Sequence, residues 1–196
     1  MSKPVLYLFN GKVARFGSGV LGGIGDVPPV PPTFDSVQIG DQIWMSKNLA
    51  IDDGQGGIYT QTVNYGNGDV VEYYYTWAAA VRVAASIQGW HLPSTAEFNA
   101  LATYIGSAPG TKLKSTYGWT SGNGTDDYGF TAFPAGRLSS GSFSNFGSRE
   151  YFWTATDESS TRAYIRYLST NSSINSDIYS KTSTSTAFSV RLIKDS

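Results

Sequence analysis

The end of the chain constrains its fold more than any other stretch. From Asp157 to Ala187 the sequence holds nine Ser, five Thr, two Asn and three Tyr, nineteen of thirty-one positions, and it leads directly into an apolar alternation, Phe188, Val190 and Leu192. Any fold must bury that closing alternation as a strand while leaving the polar stretch before it in contact with water. The stretch is not plain linker, because Ala163, Ile165 and Tyr167 stand at strand spacing and Ile174 and Ile178 interrupt the polar run. Tyr with Ser, Thr and Asn is also the composition of contact surfaces: the ring gives rigid amphipathic area and the small polar groups give adaptable hydrogen bonding. Ala163, Ile165, Phe188 and Val190 are the expected scaffold core beneath it. An ordered binding surface and an ordinary solvated edge both satisfy this pattern.

A chain of 196 residues carries one full domain and an appendage, and 40% hydrophobic with 14% aromatic residues are enough for a core. Only 15% of residues are charged and the formal net charge is -1, so no basic footprint points to nucleic acid or an anionic membrane. There is no Cys, which removes disulfides, thiolate metal sites and cysteine nucleophiles together. The apolar run near Val5 ends at Asn10-Gly11, too short for a signal peptide, and no stretch approaches the roughly 18 apolar residues of a membrane span. No membrane insertion is expected, and an extracellular role would need another route out, such as assembly into a virion and lysis.

Residues 4–16 place two apolar runs around Asn-Gly, the strongest short hairpin signal. An isolated hairpin is marginal in water, so this one should pack on the main domain or on copies of itself. Residues 1–25 are therefore expected to be an attachment or oligomerisation arm, 26–34 a proline-rich extended spacer, and 35–196 the main domain. Within it, Val37–Ile39 and Gln42–Trp44 flank Gly40-Asp41 as a second hairpin. Polar loops should run to about residue 70. The alanine run predicts a helix over about 76–86, and Ser94 with Glu97 forms a capping box that starts another from Thr95 to about Ile105, burying Phe98, Leu101 and Ile105. Short strands and Gly/Asn turns follow. Strands, two helices, then strands is the order of an α+β fold with helices gathered on one side of an antiparallel sheet.

Seven motifs then appear in order: Ile43-Trp44-Met45 with Lys47-Asn48-Leu49; Gly89-Trp90-His91-Leu92-Pro93-Ser94; Lys112-Leu113-Lys114-Ser115; the run Gly122 to Phe130; Phe133-Pro134-Ala135-Gly136-Arg137; Phe152-Trp153-Thr154-Ala155-Thr156; and Phe188-Ser189-Val190-Arg191. The series resembles the Fibrobacter-type major paralogous domain, a bacterial and phage module, over about 37–194. The resemblance implies a C-type-lectin-like fold, with paired terminal strands, two helices and long loops over small antiparallel sheets. That fold also includes the variable proteins of diversity-generating retroelements, whose variable positions lie near the C-terminus. Mutation there is directed to template adenines, and an Asn codon never becomes Lys, Glu, Gln, Met or Trp. Those five types make up 23 of the 196 residues, yet only Lys181 occurs between 159 and 187.

The single histidine, His91, lies in the connector before a helix and is read as a structural hydrogen bonder. Asn123, Asp126 and Asp127, and the Asp52-Asp53-Gly54 turn, lack the spacing of a calcium loop and fit turn chemistry. The related formylglycine-generating enzymes depend on active-site cysteines, and calcium-dependent lectins on Glu-Pro-Asn or Gln-Pro-Asp, none of which occurs here. The expectation is a non-enzyme with no cofactor and no metal. Its expected binding residues are Arg149, Glu150, Tyr151, Asp157, Ser159, Thr161, Arg162, Tyr164, Arg166, Thr170, Asn171, Ser173, Asn175, Asp177, Tyr179, Ser180, Thr182 and Thr184. The expected partner is a host-cell surface protein or glycan, met at a phage tail tip by a homo-oligomer, a trimer, held through the N-terminal arm. The alternative is a bacterial surface adhesin or structural subunit with no diversified site.

Overall fold

The closing segment of the chain is the spine on which everything else is hung. The computed structural model describes residues 32–196 and the backbone of two earlier strands, β1 (Leu6–Phe9) and β2 (Lys12–Arg15), which pair antiparallel as the Asn-Gly signal predicts. The Gly-rich segment and most of the proline spacer lie outside the described residues. Phe34, assigned by sequence to that spacer, packs edge-on against Trp90 at 5.6 Å, so the packed unit extends at least that far toward the N-terminus.

β3 (Ser36–Ile39) and β4 (Gln42–Met45) form the second hairpin, with Gly40 at φ +62°, a conformation glycine adopts without a Cβ penalty. A third hairpin follows where polar loops are expected: β5 (Ile58–Asn64) and β6 (Asp69–Tyr75) pair along their full length. The alternation in β6 was hidden by a run of three tyrosines, and the helix begins only after it. Helix α1 (Trp77–Ala84) is capped by Thr76, and α2 (Thr95–Ile105) starts on the complete Ser94/Glu97 capping box and buries Phe98, Leu101 and Ile105 as expected. Between α2 and the next strand lies a one-turn helix, α3 (Pro109–Leu113), that the sequence reading does not contain. β7 (Trp90–His91) precedes α2, and β8 (Arg137–Ser139) pairs with β9 (Ser142–Ser144). The polar tail supplies two strands of a three-stranded antiparallel sheet, β10 (Glu150–Asp157), β11 (Arg162–Leu168) and β12 (Asn175–Ser180), with β11 central.

The predicted closing strand is not a regular strand. Ala187 to Ile193 are all buried, polar members included, because the segment threads between sheets rather than along the edge of one. Its main chain bonds Leu138 through Ala187, Tyr75 through Phe188, Trp153 through Ser189, Leu49 through Val190 and Met45 through Leu192. Only the last piece, β13 (Ile193–Lys194), is a strand, lying between β4 and β7. Alternation still assigns the faces: Phe188, Val190 and Leu192 enter one core with Tyr151, Trp153, Ala163 and Ile165, while Ile193 enters another with Trp44, Phe98 and Phe152. The architecture is α+β, with small antiparallel sheets and three helices among the described residues. No helix there is long and apolar enough to cross a membrane.

Candidate functional site

The pleat of the three-stranded sheet sorts the predicted residues. Directly opposed residues in antiparallel strands share a face, and the register pairs Ala163 with Tyr179, Ile165 with Asp177, and Tyr167 with both Asn175 and Tyr151. Tyr164 and Arg166, opposite Ile178 and Ser176, therefore project from the other side. The expected binding residues are therefore divided, with Tyr164 and Arg166 on one side of the sheet and Asn175, Asp177 and Tyr179 on the other. Arg166 is engaged with α2, donating Nη2 to Asn99 Oδ1 at 2.7 Å and to Thr95 O at 3.3 Å, and braces the sheet against that helix.

Two further expectations fail on burial. Glu150 is fully buried; its carboxylate accepts from the Ala135 amide at 3.0 Å and from Asn48 Nδ2 at 2.9 Å. Asn48 in turn accepts from Arg191 Nη2 at 2.7 Å and donates to Glu72, so Glu150 belongs to an internal polar network. Burial pushes the Glu150 carboxyl well above the usual carboxylate range, the nearby Glu72 adds to this, and Arg191 opposes it. Tyr151 is 1% exposed and stacks on Phe188 at 5.4 Å, serving as a floor. The apolar run Tyr151-Phe152-Trp153 entering β10 was the available signal for both.

On that floor stand two arginines. Arg137 Cζ lies 5.1 Å from the ring centroid of Tyr151 and 5.5 Å from that of Tyr179, and its Nη1 bonds the Tyr179 hydroxyl. Arg149 Cζ lies 5.5 Å from the Tyr167 ring, and its Nη1 donates to the Tyr151 hydroxyl at 3.2 Å, which bonds Asn145 Oδ1 at the same distance. Two guanidiniums thus converge on one buried tyrosine, with Asn175 and Asp177 on the same face of the sheet. Neither arginine has a carboxylate within ion-pair distance among the described residues, and Arg137 Nε is buried without a hydrogen-bond partner. Contact with the tyrosines holds the Arg149 guanidinium even more firmly protonated than usual. Arg137 and Tyr167 are not among the expected binding residues. Arg137 closes the motif Phe133 to Arg137 and Tyr167 lies in the tyrosine-rich tail, but nothing in their spacing encodes their convergence.

The remaining predicted residues lie at the two ends of the sheet. At one end, the β10–β11 turn and the strand ends flanking it carry the exposed Asp157, Ser159, Thr161 and Arg162; Lys181 bonds Asp157 at 2.8 Å and lies over Trp77, and Ser180 bonds Thr182. Thr184 follows in a loop whose carbonyl meets the hydroxyl of Tyr59 in β5. At the other end, Thr170, Asn171, Ser172 and Ser173 form an exposed tip loop held entirely from below through its backbone. Lys114, buried although charged, donates Nζ to Ser169 O at 2.9 Å, Asn171 O at 3.3 Å and Gly122 O at 2.6 Å. Gly110 N–H donates to Ser172 O at 2.7 Å, and a Cβ on Gly110 would stand 2.4 Å from Ser173 O. The loop's side chains are left free of the scaffold, apart from the mutual bonds of Asn171 and Asn175.

The acidic residues considered for calcium do other work. Asp126 accepts from the Thr131 amide and hydroxyl, each at 2.7 Å, Asn123 from the Trp119 amide, and Asp53 is paired with Arg82 at 2.7 Å. Among the described residues no group of three or more acidic or histidine side chains is placed to hold a metal ion. His91 lies between Glu97 and Asp195, 2.7 Å from each, and ties the end of the chain to α2.

Residues 37–194 match the family model described as the Fibrobacter succinogenes major domain. No curated protein and no solved structure matches the chain.

Proposed function

The chain belongs to the Fibrobacter succinogenes major domain family, and we propose that within it this chain is a ligand-binding module that recognises a partner with the Arg137/Arg149/Tyr167/Tyr179 face and the adjoining tip loop. The observation that carries this reading is the pair of guanidiniums laid over three tyrosines with no acidic partner among the described residues. Arg and Tyr dominate the energetics of protein contacts, and a rigid floor lowers the entropy lost on binding. Cation–π contacts of this kind contribute about 0.5–2 kcal/mol each, so the arginines are held in place before a ligand arrives.

The finer reading is a C-type-lectin-like fold of the kind used by variable proteins of diversity-generating retroelements. The pairing of Ile193 with Trp44 at the two ends of the domain supports it, as does a tip loop bonded to the scaffold through main chain. In such a protein the side chains of 157–184 change while the backbone is held. Display at a phage tail, with the β1–β2 arm joining copies into a trimer, would convert weak single contacts into avidity. A fixed bacterial adhesin is the competing reading.

The test is an alanine block at Tyr167, Asn171, Asn175, Asp177 and Tyr179, assayed on an array of purified surface proteins and glycans beside the unaltered protein. The expected result is loss of every hit with the circular-dichroism spectrum of the folded domain retained; the unfolding midpoint falls, because Tyr167 and Tyr179 pack against the core. Hits that survive the block would overturn the assignment of the face. Sequencing the 3′ end of the gene across its native population separates the two finer readings: substitutions confined to adenine-derived codons mark a diversified surface, and a uniform tail marks a fixed adhesin.

A further inference from the structure

We propose that the ligand group seated between Arg137 and Arg149 is a carboxylate, and that it is supplied by an acidic segment of a partner protein. This rests on the reading of the face as a binding surface and names what it binds.

The charge count is the first argument. The chain as a whole is slightly acidic, with a net charge of -1, yet two guanidiniums meet at one tyrosine: Arg137 over the Tyr151 ring and Arg149 at its hydroxyl. Of the six arginines in residues 32–196, Arg82 and Arg162 have a carboxylate within 4.0 Å, and Arg166 and Arg191, which have none, are bonded instead to amide and carbonyl oxygens. Among the described residues the guanidiniums of Arg137 and Arg149 meet only tyrosine hydroxyls and rings. The acidic residue on the same face, Asp177, uses its Oδ1 to accept from the Ile178 amide at 2.8 Å and forms no ion pair with either. Like charges brought together without a counterion repel, and an anion placed between them removes that cost.

The geometry of the donors is the second argument. A guanidinium is a planar fork that matches the two oxygens of a carboxylate, and Arg137 keeps a buried Nε without a partner. Arg149 is exposed and open to an incoming group.

The aromatic faces decide between protein and sugar. A pyranose stacks on an open ring face, and these faces are occupied. Tyr151 lies between Arg137 and Phe188, Tyr167 carries Arg149 and meets Tyr151 at 5.6 Å, and Tyr179 meets Phe188 at 4.9 Å with Arg137 on its ring. What remains exposed is the Arg149 fork, tyrosine edge and Asn171, which suits carboxylate side chains on an extended peptide.

The experiment is fluorescence polarisation with three labelled probes on the full chain: a glutamate-rich peptide, the same peptide with glutamine at every glutamate, and an oligogalacturonate of similar length and charge. The expected result is binding of the glutamate peptide alone, weakening as salt rises, and at least tenfold weaker with Arg149→Gln or Arg137→Lys. Arg149→Gln forfeits one hydrogen bond to Tyr151 and one ring contact and should lower the unfolding midpoint only slightly, leaving the protein folded at the assay temperature, and Arg137→Lys keeps the charge while removing the fork. Equal binding of the glutamate and glutamine peptides overturns the proposal, as does glutamate binding that ignores both substitutions. Preference for the oligogalacturonate overturns it in favour of an acidic sugar. If no probe binds while the alanine block still abolishes array hits, the carboxylate assignment fails and the binding face stands. If the block also leaves those hits intact, the face itself fails.

Discussion

The Nζ of Lys114 lies 2.9 Å from the carbonyl oxygen of Ser169, 55 residues further along the chain, and so joins α3 to the end of β11. Burial lowers the pKa of this amine below its ordinary value, but three carbonyl oxygens and the Trp119 ring at 4.9 Å surround it. Replacing it with methionine should keep the aliphatic volume and strand those carbonyls. Hydrogen bonds to a charged donor contribute about 1.5–3 kcal/mol, and Lys114→Met should lower the unfolding free energy by about that much in urea titration. Amide exchange at Gly110 and in the tip loop should accelerate more than at α2. Uniform acceleration across the domain would show that the lysine supports the whole fold rather than the loop.

Gly110 tests the same loop by shape instead of charge. A methyl group there would meet the Ser173 carbonyl at 2.4 Å and the Ser173 carbonyl carbon at 2.8 Å, both backbone atoms that cannot swing aside. Gly110→Ala should therefore cost about 1–3 kcal/mol, the range for overpacking. It should also shift NMR resonances of 170–174 while leaving those of β3 and β4 in place. A variant as stable as the parent would show that the loop can lift off α3.

The buried Glu150 predicts a pH dependence of defined sign. Its folded pKa is raised, chiefly by burial, so between the unfolded value of about 4.3 and that raised value the folded protein holds the extra proton. Stability from this group is present below about 4.3 and falls as pH rises through the window. Glu150→Gln cannot titrate, and its stability relative to the parent should improve steadily from pH 4 toward neutrality and above. Parallel curves for the two proteins would assign the slope to another group.

His91 shows the same sign over a higher window. Burial pushes its pKa down, but the bonds and charges of Glu97 and Asp195 outweigh that and raise it. The contribution is complete below about pH 6.5 and is lost as pH climbs through the raised folded value. The ring is half exposed, so the amount is at most about 1 kcal/mol. His91→Gln should abolish this component of the midpoint shift, and 1.5 M salt should shrink it in the parent. A parent and variant that respond identically between pH 6 and 9 would remove the clamp from consideration.

Local signals in the chain suffice where a few adjacent residues decide the outcome. The Ser94/Glu97 capping box starts α2 where predicted because both bonds are closed within four residues. Gly40-Asp41 makes its hairpin for the same reason. The β5–β6 hairpin was not legible, because a tyrosine run satisfies no period and its partner strand is polar. Glu150 reads as a surface residue because a glutamate is rarely buried, and the partners that make burial tolerable, Asn48 and Ala135, stand 102 and 15 residues away.

Short-range signals in the chain are enough for the α+β class, the second helix to the residue, the exposed polar tail and the buried residues Ala163, Ile165, Phe188 and Val190. Such features follow from short-range periodicity and capping. Tertiary structure alone decided which tail residues share a face, because that depends on the register of β11 against β10 and β12, and a shift of one residue would exchange the two sides. It also brought Arg137 and Arg149 to the same tyrosine from either side of the β8–β9 hairpin, a convergence that no spacing along the chain encodes.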